Sequence, residues 1–512
     1  MSNQALPSAP KKHTALRVTM AVLSGVCIVG VLVAMAIIPP SWIAHDSVPR
    51  ENARMAQTVS QTQLTSYCPA RMDLADSGSY GDSEFQASSG NVTSSARYAA
   101  FGSVYRATVS RIGNDEDSIN LDSDSNLDAN NAKVASGDVN DGARFVDTRL
   151  LQAQSGSGMA ASVVSWATEG DLRGVSAASC AAPSLEQRFV LPSSATGTTH
   201  QLVVANPSSK ATSLQIEVWG TSSSGALSLS TASSLNVAAQ AESVLDLSAA
   251  APSQDGLYVK VSSKETPIAA VVRTVKIDGL TSKGSDYAEP LPEAQRSAVL
   301  SGVSADDEVS IELFSEQDTT VTVYWLGKEG RSEAKKQDLA AQRVSVVDAG
   351  KAPQDTYGVM VETDGGTISV SAQLTRSGDG DQQDFALTGM QSPAQSSAIT
   401  IPDNVQATVL IANTADQQES ATIQAFDASG KALGSKEITV DASSSLSMKP
   451  EDIDENAELL LMKDNSALAW SARVQQQSVS DAKLAGLAVI TPIALEPQNE
   501  TIWAQSDQHV VQ

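Results

Sequence analysis

Asp122, Asp124, Asn126 and Asp128 set side-chain oxygens at alternate positions of one short stretch. A loop gathers the many oxygens that a hard cation such as calcium needs in this way. The pattern is incomplete, because Leu127 stands where an EF-hand turns on glycine and Lys133 where its bidentate glutamate would sit. Two readings stand, calcium ligation by these four residues or a solvated acidic loop. No other metal site and no cofactor is expected.

Histidine bounds the remaining chemistry. His13 and His45 flank an apolar N-terminal run and His509 lies near the C-terminus, which leaves His200 as the one histidine placed to serve a Ser-His-Asp triad. It follows Gly-Thr-Thr in a turn-like segment, and neither GxSxG nor HExxH occurs. Ser332-Glu333-Ala334-Lys335 fits the S-x-x-K spelling without its SDN and KTG companions. Nucleotide-binding glycine patterns are absent. Carboxylates for a glycosidase pair are plentiful, but aromatic residues, which usually supply the faces of sugar sites, make up only 4% of the chain. No catalytic site is expected.

The element that places all of this is the N-terminal run. Val18 to Ile38 is uncharged and mostly apolar, closed by Pro39-Pro40 and preceded by Lys11, Lys12 and Arg17. At about 1.5 Å rise per residue it spans roughly 31 Å, a hydrocarbon core, with the basic side cytoplasmic. Ala34-Met35-Ala36 has the form of a signal-peptidase site, but Ile37 and Ile38 continue the apolar run past it. The expectation is a single-pass signal anchor in the cell membrane, N-terminus inside and the bulk of the chain extracytoplasmic.

Charge and cysteine usage agree with that address. The chain holds 59 acidic and 34 basic residues, net −25, and the three basic residues before the run have no acidic counterpart there, so the exterior is more acidic still. Such a surface repels nucleic acid and anionic polymers and leaves cationic groups or other proteins as partners. Outside the run only Cys68 and Cys180 occur. In an oxidising compartment they suggest one disulfide. Closing so long a loop contributes about 4 to 5 kcal/mol in the chain-entropy account. Two free buried thiols are the alternative.

Beyond the run the chain reads as strands and turns. Short Val, Ile, Leu and Thr segments such as LQIEVW (214–219), TVTVYW (320–325) and ATVLIAN (407–413) alternate apolar with polar or stand between Gly, Asn and Asp clusters. A repeat of about 100 residues is visible. Strand, polar turn and strand end on Trp219, Trp325 and Phe426, and a later strand pair ends on Arg273, Arg376 and Arg473. An acidic residue follows each time, at Asp286, Asp384 and, more faintly, Asp481. The repeated arginine is expected to pair with the aspartate of its own copy, and the aromatics to close the sandwich cores.

The fold expected is all-β, a row of tandem immunoglobulin-like β-sandwich units after one transmembrane helix. Its parts are a cytoplasmic stub 1–17, the helix 18–38, a tether 39–61 with a short helix in ENARMAQ, a first β unit 62–185 carrying the acidic insert, sandwiches 186–295, 296–395 and 396–497, and a disordered tail 498–512.

Cys68-Pro69, GDLRGVSAASCAAP (170–183) and LVVANPSSKATSLQIEVWG with Asn206-Pro207 resemble an actinobacterial family, domain of unknown function 5719. Phe314-Ser315 departs from the Asn-Pro or Asn-Thr of the flanking copies. The resemblance implies an envelope-exposed, single-pass protein without assigned activity, often encoded near envelope glycosyltransferases. Three functions follow as expectations: a non-enzymatic envelope scaffold contacting other membrane or surface proteins, an accessory subunit of envelope glycan assembly or export, and a carboxylate-dependent hydrolase.

Overall fold

Strands buried on one face and strands buried on both divide this chain into two kinds of sheet, and the second kind closes the molecule. The computed structural model describes residues 54–75, 87–121 and 130–505. They belong to a small unit that includes 54–59 and 499–505, and a large unit, Ser60–Gln498. The strands Arg54–Ser60 and Asn499–Gln505 pair as a two-stranded sheet. The tether expected over 39–61, with its short helix in ENARMAQ, and the tail expected over 498–512 each include one of these strands, and their remaining parts lie largely outside the described residues. Each segment finds its partner at the other end of the chain, beyond the reach of local pattern. The expected membrane run, 18–38, lies outside the described residues, and among the described ones no helix is long and apolar enough to cross a membrane.

The large unit holds four modules, with strands running from Gln63 to Ser179, Glu186 to Ala288, Ser297 to Gly389 and Ser397 to Ile490. Counted in chain order, the eight strands of every module make one antiparallel sheet ordered first, sixth, third, fourth and another ordered fifth, second, seventh, eighth. The fourth module adds Ile493–Ala494 beside its first strand. Exchanging strands one to four for five to eight converts one order into the other, so each module is two interlocked halves. An immunoglobulin domain distributes its strands differently. The all-β, sandwich-like expectation holds in this coarser form. The first module, irregular in sequence, shares the topology.

Thr212–Trp219 buries Leu214, Ile216 and Val218 and turns the alternate residues outward. Ala269 to Val272 and Gly158 to Ser165 are buried without a break. These unbroken runs lie on seventh strands, whose sheet packs on its own module with one face and on the preceding module with the other. Leu202 and Val204 enter the second module's core, while Val203 and Ala205 meet Tyr67 and Phe145 of the first. Phe314 of the third module stacks on Tyr258 of the second, ring centroids 3.9 Å apart. Ala412 and Ala469 of the fourth pack on Leu326 and Met360 of the third. Phe101 and Ala160 of the first then meet Phe426 and Leu459 of the fourth. The row expected from the repeat is a closed ring.

The repeated aromatics are corrected accordingly. Trp219 and Phe426 lie at seams between modules, whereas Trp325 enters its own core and Leu326 takes the seam position. The pair Phe314-Ser315 is offset by one residue: Ser315, not Phe314, ends its strand where Asn206 and Asn413 end theirs. The buried Asn206 and Asn413 each donate to three turn carbonyls and accept from a backbone N–H two residues on. Ser315 keeps only the second bond, with Gln317.

Candidate functional site

The last strand of each module faces the middle of the ring: β1 (Gly174–Ser179), β2 (Thr281–Ala288), β3 (Gln383–Gly389) and β4 (Ala488–Ile490). Each is the edge of its sheet, yet they pack on one another. Buried edges present backbone N–H groups that must find acceptors. Asp286 and Asp384 supply them. Asp286 accepts from Ala177 at 3.0 Å and Leu387 at 2.7 Å. Asp384 accepts from Val175 at 2.8 Å, Leu487 at 2.9 Å and its own neighbour Phe385 at 3.0 Å. Both carboxyls are fully buried, and burial drives their pKa well above the carboxylate range although the N–H donors pull the other way.

Gly174, which ends GDLRG, has φ +137° and would place a Cβ 2.5 Å from the Asp384 carboxylate. That motif therefore places at the axis a backbone position that no side chain could occupy without a clash.

The expected arginine partners lie elsewhere. Arg473 grips Asp307 in a bidentate pair at 2.6 and 2.9 Å, and Arg376 reaches the same carboxylate at 2.6 Å. Asp307 is fully buried where the third and fourth modules meet. Arg273 lies opposite Tyr287 in the strand pairing, and Asp481 ends a short helix, Gln477–Asp481, off the axial strands. Asp286 and Asp384, rather than pairing with the arginines of their own copies, accept from backbone N–H groups at the axis, most of them on neighbouring modules.

At one end of the axis the four strands open into a cavity of about 500 Å³ lined by all four modules. Glu289, just past β2, is among its polar lining groups. It accepts from the Ser179 backbone N–H at 2.5 Å and from the Thr491 hydroxyl, linking three modules. Burial pushes its carboxyl up to about 7 against these donors. Glu496, which also lines it, accepts from Ser396 N–H at 2.6 Å and Ser155 Oγ at 2.9 Å. Leu64, Met159, Met390 and Ile493 supply apolar wall, and among the described residues no aromatic side chain lines it. Glu289 stands in an unremarkable AEPLPE segment, and no sequence signal singled it out.

Cys68 and Cys180 form the disulfide. It joins the first strand of the first module to the residue after β1, within one module, and Cys180 lines the cavity. His200 is fully buried and bonded to Thr274 Oγ1 at 2.9 Å and to the carbonyls of Pro192 and Ser193 at 3.1 Å. Burial depresses it to about 4. It is a core residue that ties a loop to a strand. Ser332 and Lys335 lie exposed on an edge strand, Gly330–Leu339. Among the described residues no group of three or more potential metal ligands occurs, and the calcium candidates Asp122, Asp124, Asn126 and Asp128 lie outside them.

Residues 134–451 match the model of a family of unknown function, DUF5719. No curated protein matches the chain. Two solved structures show a distant likeness. One is an alpha-L-rhamnosidase of Streptomyces avermitilis, 8% identical over 72% of this chain and 53% of that one, TM-score 0.12. The other is a glycosyl hydrolase family 2 member from Bacteroides cellulosilyticus, 9% identical over 66% and 37%, TM-score 0.10. The chain spans about half the length of the first and less of the second, and likenesses this slight carry no argument.

Proposed function

The chain belongs to the family of unknown function DUF5719, and we propose that this member is a non-enzymatic scaffold of the bacterial cell envelope, membrane-anchored by residues 18–38 with its ring extracytoplasmic. The observation that carries the reading is the engagement of the chain's reactive groups in the ring itself: Asp286 and Asp384 cap axial backbone, Asp307 binds two arginines, and His200 ties a loop. A closed ring with four seams is stiff and presents outer edge strands to partners. The disulfide supports an oxidising compartment, and the net charge favours partners that present cationic surface.

Crosslinking of the full chain in native membranes tests this. Repeated capture of the same envelope or membrane proteins, with the ring digested by protease added to intact cells after removal of the outer barrier, supports the scaffold. Protection of the ring under those conditions, or turnover of wall glycan by the purified chain, overturns it.

A further inference from the structure

The axial cavity has features that the scaffold reading does not use. Its volume, about 500 Å³, lies in the range of small-molecule sites, roughly 300 to 1,000 Å³. All four modules build it, so its shape is fixed by ring closure rather than by one mobile loop. Its wall combines apolar side chains, Leu64, Met159, Met390 and Ile493, with two carboxylates, Glu289 and Glu496, and among the described residues no lysine, arginine or histidine lines it. The remaining polar wall is neutral hydroxyl and amide, and the only cysteine, Cys180, is in the disulfide.

Glu496 is held at the rim by a backbone N–H and a serine hydroxyl. Glu289 is partly exposed and has one donor on each oxygen. A carboxylate oxygen carries two lone pairs, so both oxygens of Glu289 retain an acceptor site. An anion entering here would meet like charge in a partly desolvated site, and a neutral apolar molecule would leave Glu289 without a new partner. An ammonium group on an apolar body satisfies both halves of the wall.

We propose that the axial cavity is a binding site for a small organic amine, its ammonium group on Glu289 and its apolar body against Met159, Met390 and Ile493.

The full chain in lipid nanodiscs is titrated by calorimetry with three matched probes, 4-phenylbutylammonium, 4-phenylbutanol and 4-phenylbutanoate, with empty nanodiscs subtracted. The amine should bind at least 10-fold tighter than the alcohol, and the acid weakest. Its affinity should rise from pH 5.5 to 8.5 as Glu289, whose carboxyl burial pushes up to about 7, loses its proton. Glu289→Gln should abolish both the preference and the pH dependence. Leu64→Trp, which adds bulk to the cavity wall from the first module, should weaken all three probes. Equal affinities for amine and alcohol, no binding, or binding unchanged in Leu64→Trp overturns the proposal. If Glu289→Gln does not fold, the three-probe ranking and Leu64→Trp still decide.

Discussion

Asp286 and Glu289 stand three residues apart at the end of one module, and their surroundings give them opposite roles. Asp286 is sealed among the axial strands, where two neighbouring modules aim backbone N–H groups at it. Glu289 emerges at the axial cavity, partly exposed, with one N–H and one hydroxyl. Burial raises both pKa values. What differs is what removal would leave behind. Without Asp286 or Asp384, buried N–H groups have no acceptor. Without Glu289, Ser179 N–H and the Thr491 hydroxyl border a cavity that water can enter. Position along the axis, rather than residue type, decides which carboxylate is structural and which is open to a ligand.

The contrast breaks most sharply at Asp384. Asp384→Ala strands the N–H groups of Val175, Leu487 and Phe385, and at about 1 to 3 kcal/mol for each buried unsatisfied group the loss is on the order of 4 kcal/mol or more. Thermal unfolding should show a large fall in midpoint. A fall no greater than that of Glu289→Ala would place the two carboxylates in one class.

Replacing Cys68 and Cys180 together by serine comes next. The disulfide closes a loop of 112 residues, and its removal should cost about 4 kcal/mol by loop entropy. Wild type under reductant should match the double variant in a denaturant titration.

A third buried acid sharpens the point. Glu312 sits on the face of the third module that meets the second, with one oxygen accepting from Ser310 and the other buried without a hydrogen bond. Burial pushes its pKa up to about 8, against a small opposing influence of Lys276. The unfolded carboxyl titrates near 4.3. The folded state thus holds the proton more tightly, and this stability is full below about pH 4.3 and is lost as pH rises through about 8. Glu312→Gln should leave the unfolding midpoint nearly unchanged at pH 4 and raise it at pH 9, by an amount equivalent to a few kcal/mol at most. An equal effect at both pH values would contradict the assignment.

The smallest change is expected from Glu289→Ala, about 1 kcal/mol, since hydration replaces its two bonds.

Much of the strand content was legible in the sequence, because alternation in Thr212–Trp219 and the β-branched run near Asn413 follow directly from half-buried strands. Closure was not. It rests on alanines such as Ala160, Ala412 and Ala469 and on pairs such as Phe101 and Phe426. These are residues of the second face, whose partners lie in other modules. The repeated Asp286 and Asp384 were visible as a pattern, but their partners are backbone groups, which no side-chain pattern encodes. Glu289 carried no signal, since its setting exists only once four modules meet.

Ring closure is the claim on which both roles depend, and the seam between the first and fourth modules tests it most directly. Asn131 Oδ1 of the first module accepts from the Ala432 backbone N–H of the fourth at 3.0 Å. Spin labels on Asn131→Cys and Ala432→Cys, in a Cys27→Ser background, allow pulsed electron paramagnetic resonance to measure that separation in the folded full chain. The ring predicts a short, narrow distance set by the label linkers. A row of four modules, each with a radius of gyration of about 13 Å, would hold the labels on the order of 100 Å apart, and such a result would contradict the closed ring.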